Sequence, residues 1–273
     1  MIIDSHCHFD VPAFDRDRDT CWRNAWNAGV RAQILPAIDR DGWPRIKQVA
    51  ASLPGLYPAY GLHPVYLHSH QPADIDALDQ WLQREPAVAV GECGLDFYVE
   101  GLDEQTQQVY FRAQLDLALT HDLPVIIHAR RAMDQVTQAL RQRPGLRGVV
   151  HSFSGSRQQA EKLLDLGFFI GIGGPVTYPR AQRLRKLASW LPAEAMLVES
   201  DAPDQPGQAH RGDRNQPAWL PEVIETLAAL RRESPEEIAS ITRENAIRLF
   251  RLGSLHHIPD DQDQARVIHS PIP

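Results

Sequence analysis

The sequence predicts an α/β fold, specifically a TIM-like (β/α)8 barrel in a single domain. Short apolar runs rich in β-branched residues recur along the 273-residue chain at a spacing of roughly thirty residues, the length of one strand, one helix and two loops. There are eight such runs, and amphipathic segments lie between them. Strands that alternate with helices form a parallel sheet, and eight of them close into a barrel of about 250 residues.

The eight predicted strands begin near residues 1, 32, 56, 87, 124, 148, 168 and 195. In chain order they read MIID, AQILPAI, LYPAYG, AVAVGE, PVIIHA, GVVHSF, FFIGIGG and AMLVES. Their apolar and β-branched composition favours strands over loops.

Helices are predicted between these runs. The stretch from Glu104 to His121 places several apolar residues near helical spacing: Val109, Phe111, Leu115, Leu117 and Leu119. A second amphipathic segment runs from Ser156, a candidate N-cap, to Leu166. The segments PEVIETLAALRR and PEEIASITRENAIRLF both begin with proline, which is favoured in the first helical turn.

The domain is predicted to span residues 1–253, and residues 254–273 to form a polar C-terminal tail. The tail contains prolines and has no hydrophobic periodicity, so His256 and His257 are not assigned to any site.

Composition narrows the class of protein. With 43% hydrophobic and 23% charged residues and no apolar run of about 18 residues, the chain reads as soluble, without a membrane partner. No secretory signal pattern opens the sequence, and three cysteines without CxxC spacing favour a reducing cytoplasm. The net charge of −7 argues against bulk coating of nucleic acid but leaves a nuclease possible. A monomer is the default expectation.

Metal-binding side chains follow the predicted strands where they end. His6 and His8 have i, i+2 spacing and point to the same side if they lie in a strand. Six of the eight strands end in such residues: His6 and His8, His63, Glu92, His128, His151 and Asp201. A barrel gathers the carboxyl ends of its strands at one mouth, so these side chains are expected to converge there.

A divalent cation satisfies such buried groups together, whereas each alone would be costly to bury. Four histidines and two carboxylates exceed the ligands of one tetrahedral ion, so two bridged ions are predicted. His6, His8, Glu92 and Asp201 are expected to hold one ion, and Glu92, His128 and His151 the other. The ions are Mg, Mn or Zn, and imidazole-rich ligation favours Zn, Mn or Fe over Mg.

Seven ordered motifs resemble the TatD family of metal-dependent deoxyribonucleases, within the metal-dependent hydrolase barrels: DSHCH (4–8), GLHP (61–64), GECGLDF (91–97), HAR (128–130), HSFSG (151–155), ESDAP (199–203) and RNQP (214–217). The resemblance implies a TIM-like barrel with a dinuclear site and exonuclease-type hydrolysis of DNA. The family's metal ligands correspond to the same set chosen above: His6, His8, Glu92, His128, His151 and Asp201.

Catalytic and substrate-binding roles are assigned as hypotheses. Asp201, with Glu92 in the shared site, orients or deprotonates the attacking water, or acts only as a ligand. His63 contacts a substrate phosphate or donates a proton, or is a structural turn residue. Arg130 and Arg157 are candidates for binding phosphate. Asp4 and Asp96 are candidates for hydrogen bonds to the ligand histidines.

Two other functions stay open at this stage. One is hydrolysis of another ester or amide on the same barrel. The other is a metal-stabilised scaffold without turnover. The physiological substrate, whether DNA, RNA or another phosphoester, depends on loops whose geometry the sequence does not specify.

Overall fold

The predicted barrel is confirmed in the computed structural model, which describes residues 1–253. The predicted tail, 254–273, lies outside the described residues. Eight parallel strands follow one another around the sheet in chain order. They are β1 (Ile2–Asp4), β2 (Val30–Pro36), β3 (Leu56–Tyr60), β4 (Ala89–Asp96), β5 (Val125–Arg130), β6 (Gly148–Val150), β7 (Phe169–Ile172) and β8 (Met196–Val198).

The barrel closes between β8 and β1 through the segments that carry three of the predicted ligands. Ser5 N–H donates to Val198 O at 3.0 Å, Asp201 N–H to His6 O at 2.9 Å and His8 N–H to Ala202 O at 2.8 Å. The expectation that both histidines belong to the first strand was therefore wrong, because β1 ends at Asp4. Beyond the end of β1, backbone hydrogen bonds between the segment of His6 and His8 and the segment of Asp201 and Ala202 hold the two histidines beside Asp201.

Nine helices among residues 1–253 form the outer layer: α1 (Arg18–Asn27), α2 (Trp43–Ser52), α3 (Asp74–Arg84), α4 (Glu104–Thr120), α5 (Met133–Arg141), α6 (Arg157–Leu164), α7 (Gln182–Trp190), α8 (Leu220–Arg231) and α9 (Pro235–Phe250). Ser156 caps α6 as predicted, in a capping box with Gln159. None of the described helices is both long and apolar enough to cross a membrane.

Alternate residues of the strands pack into two different hydrophobic clusters. Ile126 belongs to the smaller cluster, which also contains Leu249 and Phe250 of α9, whereas its neighbour Ile127 packs in the larger one. Side chains alternate between the two faces of a strand, so His128 lies on the same face as Ile126. The inward-facing residues of β5 therefore end in His128, a predicted ligand.

Helix α4 is confirmed, and Phe111 and Leu115 of its predicted apolar set are buried, but its buried face also contains polar residues. Val109 and Leu119 are exposed, whereas Gln107 and Gln114 are buried. Gln114 Oε1 accepts from Leu62 N–H at 2.7 Å and its Nε2 donates to Leu62 O at 3.1 Å. Gln107 contacts the backbone of Asp96 in the same way, at 2.7 and 2.9 Å. These paired hydrogen bonds offset the cost of burying amides and fix the chain next to His63 and at the end of β4.

Candidate metal centre

Glu92, a buried residue of β4, lies at the centre of the predicted ligands. Two imidazole nitrogens face its Oε2 atom, His6 Nε2 at 3.1 Å and His8 Nε2 at 3.5 Å. Three face Oε1: His63 Nε2 at 3.1 Å, His128 Nδ1 at 3.2 Å and His151 Nε2 at 2.8 Å. The two carboxylate oxygens therefore divide five histidines into two groups.

Asp201 joins the group on the Oε2 side. Its Oδ1 atom lies 3.5 Å from His6 Nε2 and 3.7 Å from His8 Nε2. Its Oδ2 atom accepts a hydrogen bond from Gln205 Nε2, and Gln205 Oε1 accepts one from Ser152 Oγ at 2.9 Å. The carboxylate is held at a fixed angle, with one oxygen directed at the histidines. All six predicted ligands thus lie together.

The arrangement of nitrogen and oxygen atoms fits divalent cations. His6 Nε2 lies 3.3 Å from His8 Nε2, and His128 Nδ1 lies 3.4 Å from His151 Nε2. Two neutral imidazole nitrogens that face each other can share only one proton. Among residues 1–253, no hydrogen bond reaches the buried Glu92 Oε2 atom. A bound cation satisfies these lone pairs without added protons, and His6, His8 and Glu92 offer ligand atoms within 4.8 Å of one another.

Burial sets the direction of two pKa shifts in the centre. It raises the pKa of Asp201 to about 6 and lowers the pKa of His63 to about 4. Burial alone would also raise the pKa of Glu92, but the surrounding imidazoles, led by His151, outweigh it and hold that pKa well below its usual range. An ionised carboxylate beside a neutral imidazole is the state that metal ligation requires.

Further carboxylates lie beside two of the predicted ligand histidines. His128 Nε2 lies 2.9 Å from Asp96 Oδ2, and the other oxygen of Asp96 accepts from two backbone N–H groups. Glu199 Oε1 lies 3.7 Å from His151 Nδ1 and accepts a hydrogen bond from Ser152 N–H. Asp4, in contrast, accepts from backbone N–H groups of the residues His6 and Ser200. Asp96 therefore contacts a predicted ligand imidazole as expected, whereas Asp4 accepts hydrogen bonds at the barrel closure.

His63 has a hydrogen-bonding pattern that differs from that of the other four histidines. Its Nδ1 atom accepts from Val65 N–H at 3.1 Å, so Nδ1 carries a lone pair. In the neutral ring the proton then resides on Nε2, which is 3.1 Å from Glu92 Oε1. His63 therefore donates to the central carboxylate, which suits a hydrogen-bonding role better than ligation through Nε2.

The centre opens into a cleft of about 590 Å³ at the carboxyl ends of the strands. Arg130, two residues beyond His128, lines this cleft. Arg157 is not among the lining residues; its Nε pairs with Glu161 at 2.9 Å and its guanidinium lies over Trp190. The structure therefore brings one of the two predicted phosphate-binding arginines to the site.

The sequence interpretation missed Glu199 and Gln205. Glu199 stands in the ESDAP motif, where only Asp201 received a role. It is fully buried directly after β8, and a buried carboxylate at the end of an apolar strand needs partners. That signal was available in the sequence. Gln205 carried no comparable signal, because it lies in a polar loop.

Known proteins are similar to this chain over most of its length. The profile of the family described as TatD related DNase matches residues 3–251. A relative from Escherichia coli K12, named uncharacterized metal-dependent hydrolase YjjV, is 43% identical over 251 residues, 91% of this chain and 97% of its own. The 3'-5' ssDNA/RNA exonuclease TatD of Salmonella typhimurium is 35% identical over 87% of this chain and 94% of its own. The crystal structure of the Escherichia coli TatD homologue YjjV superposes with a TM-score of 0.88 at 41% identity, covering 92% of this chain and 98% of that one.

Proposed function

The chain belongs to the family of TatD-related DNases and is a metal-dependent hydrolase, and on this premise we propose that it cleaves phosphodiester bonds of DNA as an exonuclease with two metal ions. The observation that carries the proposal is that two predicted ligand imidazoles face each oxygen of Glu92, His6 and His8 at Oε2 and His128 and His151 at Oε1. A carboxylate with separate nitrogen ligands at each oxygen is suited to bridging two cations.

The proposed ligands follow this division. On one side are His6, His8, Glu92 and Asp201; on the other are Glu92, His128 and His151. Divalent ions held there would lower the pKa of a water molecule and stabilise charge on the phosphoryl oxygens. Mg, Mn and Zn are the candidates.

Asp201 is the proposed acceptor of the proton from the attacking water. It lines the cleft; its Oδ2 atom accepts from Gln205, and its Oδ1 atom faces His6 and His8, where the proposed ion and its water would lie. Proton acceptance by a positioned carboxylate contributes about 10²–10⁴-fold to a rate. The proton then passes to solvent in the open cleft, and the leaving oxygen takes its own proton from the same solvent.

His63 is proposed to donate a hydrogen bond rather than to ligate an ion. The Val65 N–H group fixes the tautomer with the proton on Nε2, and the ring lines the cleft. With Glu92 bound to metal, the same N–H would donate to a phosphoryl oxygen of the substrate. A charge-assisted hydrogen bond of this kind is stronger than one between neutral groups.

Arg130 is proposed to bind a substrate phosphate, because it lines the cleft and forms no ion pair with the described residues. Arg157 is not part of the proposal, since its charge is paired with Glu161 outside the cleft. The Salmonella relative's name, 3'-5' ssDNA/RNA exonuclease, supports a free 3' end of a single strand as the preferred substrate.

The test is nucleotide release from end-labelled single- and double-stranded DNA by metal-stripped protein, before and after Mg, Mn or Zn is added back. Bound metal is counted by mass spectrometry in the wild type, in Glu92→Ala and in Glu222→Gln. Glu222 is the matched control, a carboxylate 2.7 Å from the His210 ring in the loop beyond β8. We expect about two ions per chain and metal-dependent release in the wild type and the control.

Glu92→Ala should lose both metal binding and nucleotide release while its circular dichroism stays that of the barrel. Full activity in that variant contradicts the dinuclear proposal. Two bound ions without cleavage of any DNA contradict the nuclease assignment and favour another ester or amide on the same barrel.

A further inference from the structure

Four arginines lie at the rim of the metal cleft and beyond it: Arg130, Arg131, Arg180 and Arg183, here called the arginine track. The first two end β5 and follow it, and the other two lie just before α7 and in its first turn. All four are exposed, in a chain whose net charge is −7. A local cluster of positive charges on a protein of negative net charge indicates a binding surface for an anionic ligand.

The track follows a continuous depression in the surface. Two smaller clefts, of about 240 and 370 Å³, share wall residues with the main cleft. Ser154 lines all three, and Arg183 lines both of the smaller ones. Arg130 lines the main cleft, Arg131 the larger outer cleft and Arg180 the smaller one. A chain that leaves the metal centre can therefore pass from one arginine to the next.

No acidic side chain of the described residues neutralises the charges of the track. Within residues 1–253 none of the four guanidinium groups forms an ion pair, whereas Arg143, Arg147 and Arg214 pair with aspartates. Asp134 also lines the larger outer cleft and lies 3.7 Å from the Lys162 ammonium group. Unpaired cations that line a groove are available to an anion.

The aromatic ring of Tyr98 fixes two members of the track. The Arg130 guanidinium lies 3.6 Å from the ring centroid and the Arg131 guanidinium 4.6 Å from it. The Tyr98 side chain is 46% exposed, so this large ring lies at the surface. Its contacts with the two guanidinium groups are therefore at the rim of the cleft. Cation–π contact restricts the two long side chains, which lowers the entropy lost when they bind phosphate.

We propose that the arginine track binds the backbone phosphates of a single-stranded polynucleotide beyond the bond that is cleaved. The proposal rests on the proposed nuclease function and adds to it the path of the strand and a preference for substrates several nucleotides long. Guanidinium groups suit this role because they hold phosphate oxygens in pairs and track a flexible backbone without reading its bases.

The test measures binding and hydrolysis separately, with the full-length, metal-loaded protein. Fluorescence anisotropy follows an octathymidylate and a dithymidylate, both with phosphorothioate linkages that resist cleavage. The test variant is Arg131→Gln with Arg183→Gln. The control, Arg84→Gln with Arg141→Gln, makes the same charge change at the carboxyl ends of α3 and α5, at the rim opposite the mouth.

Octathymidylate binding should weaken about tenfold or more in the test variant and stay unchanged in the control. The slope of log affinity against log salt should become shallower by about 0.7 for each phosphate that the variant no longer neutralises. Dithymidylate, which is too short to leave the metal cleft, should bind all three proteins equally. Equal octathymidylate affinity and salt slope in the test variant and the wild type overturn the proposal, as does an equal loss in the control.

Hydrolysis of the thymidine 5'-(p-nitrophenyl) phosphodiester tests the nuclease function independently, because this substrate does not reach the track. If the wild type cleaves this substrate but octathymidylate binding does not depend on the track, the nuclease function is supported and the role of the track is contradicted. Track-dependent binding of octathymidylate without cleavage of any phosphodiester supports the binding role of the track and contradicts the proposed nuclease function.

A second pair of variants tests the contribution of Tyr98. Tyr98→Phe keeps the aromatic face and should preserve octathymidylate affinity, whereas Tyr98→Leu should weaken it. Equal affinities for both variants contradict the role given to the ring.

Discussion

The backbone of Gly171 forms a wall of the space that holds the carboxylate of Glu199. A Cβ atom on residue 171 would lie 2.3 Å from Glu199 Oε2. Glu199 in turn accepts from Ser152 N–H and faces the His151 ring. A strand residue without a side chain is therefore part of the support of a proposed metal ligand, because the carboxylate occupies the volume a methyl group would need.

Gly171→Ala should destabilise the barrel and weaken metal binding together. Overpacking of a filled interior costs about 1–3 kcal/mol, and relief of the clash moves Glu199 away from His151. Thermal unfolding and zinc titration calorimetry measure the two effects. Gly42→Ala is the control, because its Cβ would approach only Asp39, at 3.3 Å. The prediction fails if the two variants behave alike.

Glu199→Gln should weaken metal binding by about 10–100-fold with little change in folding. The amide keeps the volume and can still accept from Ser152 N–H, but the negative charge facing His151 Nδ1 at 3.7 Å is removed. Calorimetry with zinc measures the affinity, and Glu222→Gln makes the same change beside His210, outside the centre. An unchanged zinc affinity in Glu199→Gln would contradict the proposed role of Glu199 in supporting His151.

The Asp201→Asn variant should show a larger loss of DNA hydrolysis than of metal binding. The amide oxygen can still face His6 and His8, but an amide does not accept a proton from water at neutral pH. We expect a fall in DNA hydrolysis of about 10²–10⁴-fold and a much smaller fall in bound metal. Asp213→Asn, an exposed change in the same loop, is the control. Equal losses of metal and activity would mean that Asp201 acts chiefly as a ligand.

Gln114→Ala should lower the free energy of unfolding by about 2–4 kcal/mol, because it leaves both backbone polar groups of Leu62 without their partner in a buried position. Urea denaturation measures the loss. Gln105→Ala, at an exposed position of the same helix, should change it little. Similar unfolding midpoints for the two variants would contradict the role of this contact.

Asp122 should contribute stability that depends on pH. Hydrogen bonds from Arg251, at 2.6 Å, and Arg147, at 2.7 Å, lower the pKa of this carboxyl to about 2. A lowered carboxyl pKa stabilises the fold above the unfolded pKa of about 3.9, and the contribution is lost as pH falls from about 4 to about 2.

Asp122→Asn should therefore unfold at lower urea concentration than the wild type at pH 7, with the difference shrinking as the pH approaches 2. Asparagine tolerates the left-handed backbone at this position, φ 52°, so the change removes mainly the charge. Asp165→Asn, the same change at an exposed aspartate after α6, is the control. A difference that is constant with pH would contradict the assignment.

Much of the fold could be predicted because its signals are local. Each strand is an apolar run, and helices such as α9 begin at a proline after a capping serine, so periodicity and end signals were enough. The buried glutamines of α4 could not be predicted this way. Gln107 and Gln114 are buried because backbone groups of other segments satisfy their amides, and no pattern within the helix records those partners.

The six proposed ligands were identified from the sequence because histidines and carboxylates that end apolar strands are unusual, and a parallel barrel brings strand ends to one mouth. The sequence by itself therefore determined which residue types meet and at which end of the barrel. Only the tertiary structure decided that five imidazoles surround Glu92, that Glu199 lies beside His151 and that Arg157 pairs with Glu161 outside the cleft. Those outcomes depend on how the barrel closes and on the register between strands, which set distances between residues far apart in the chain.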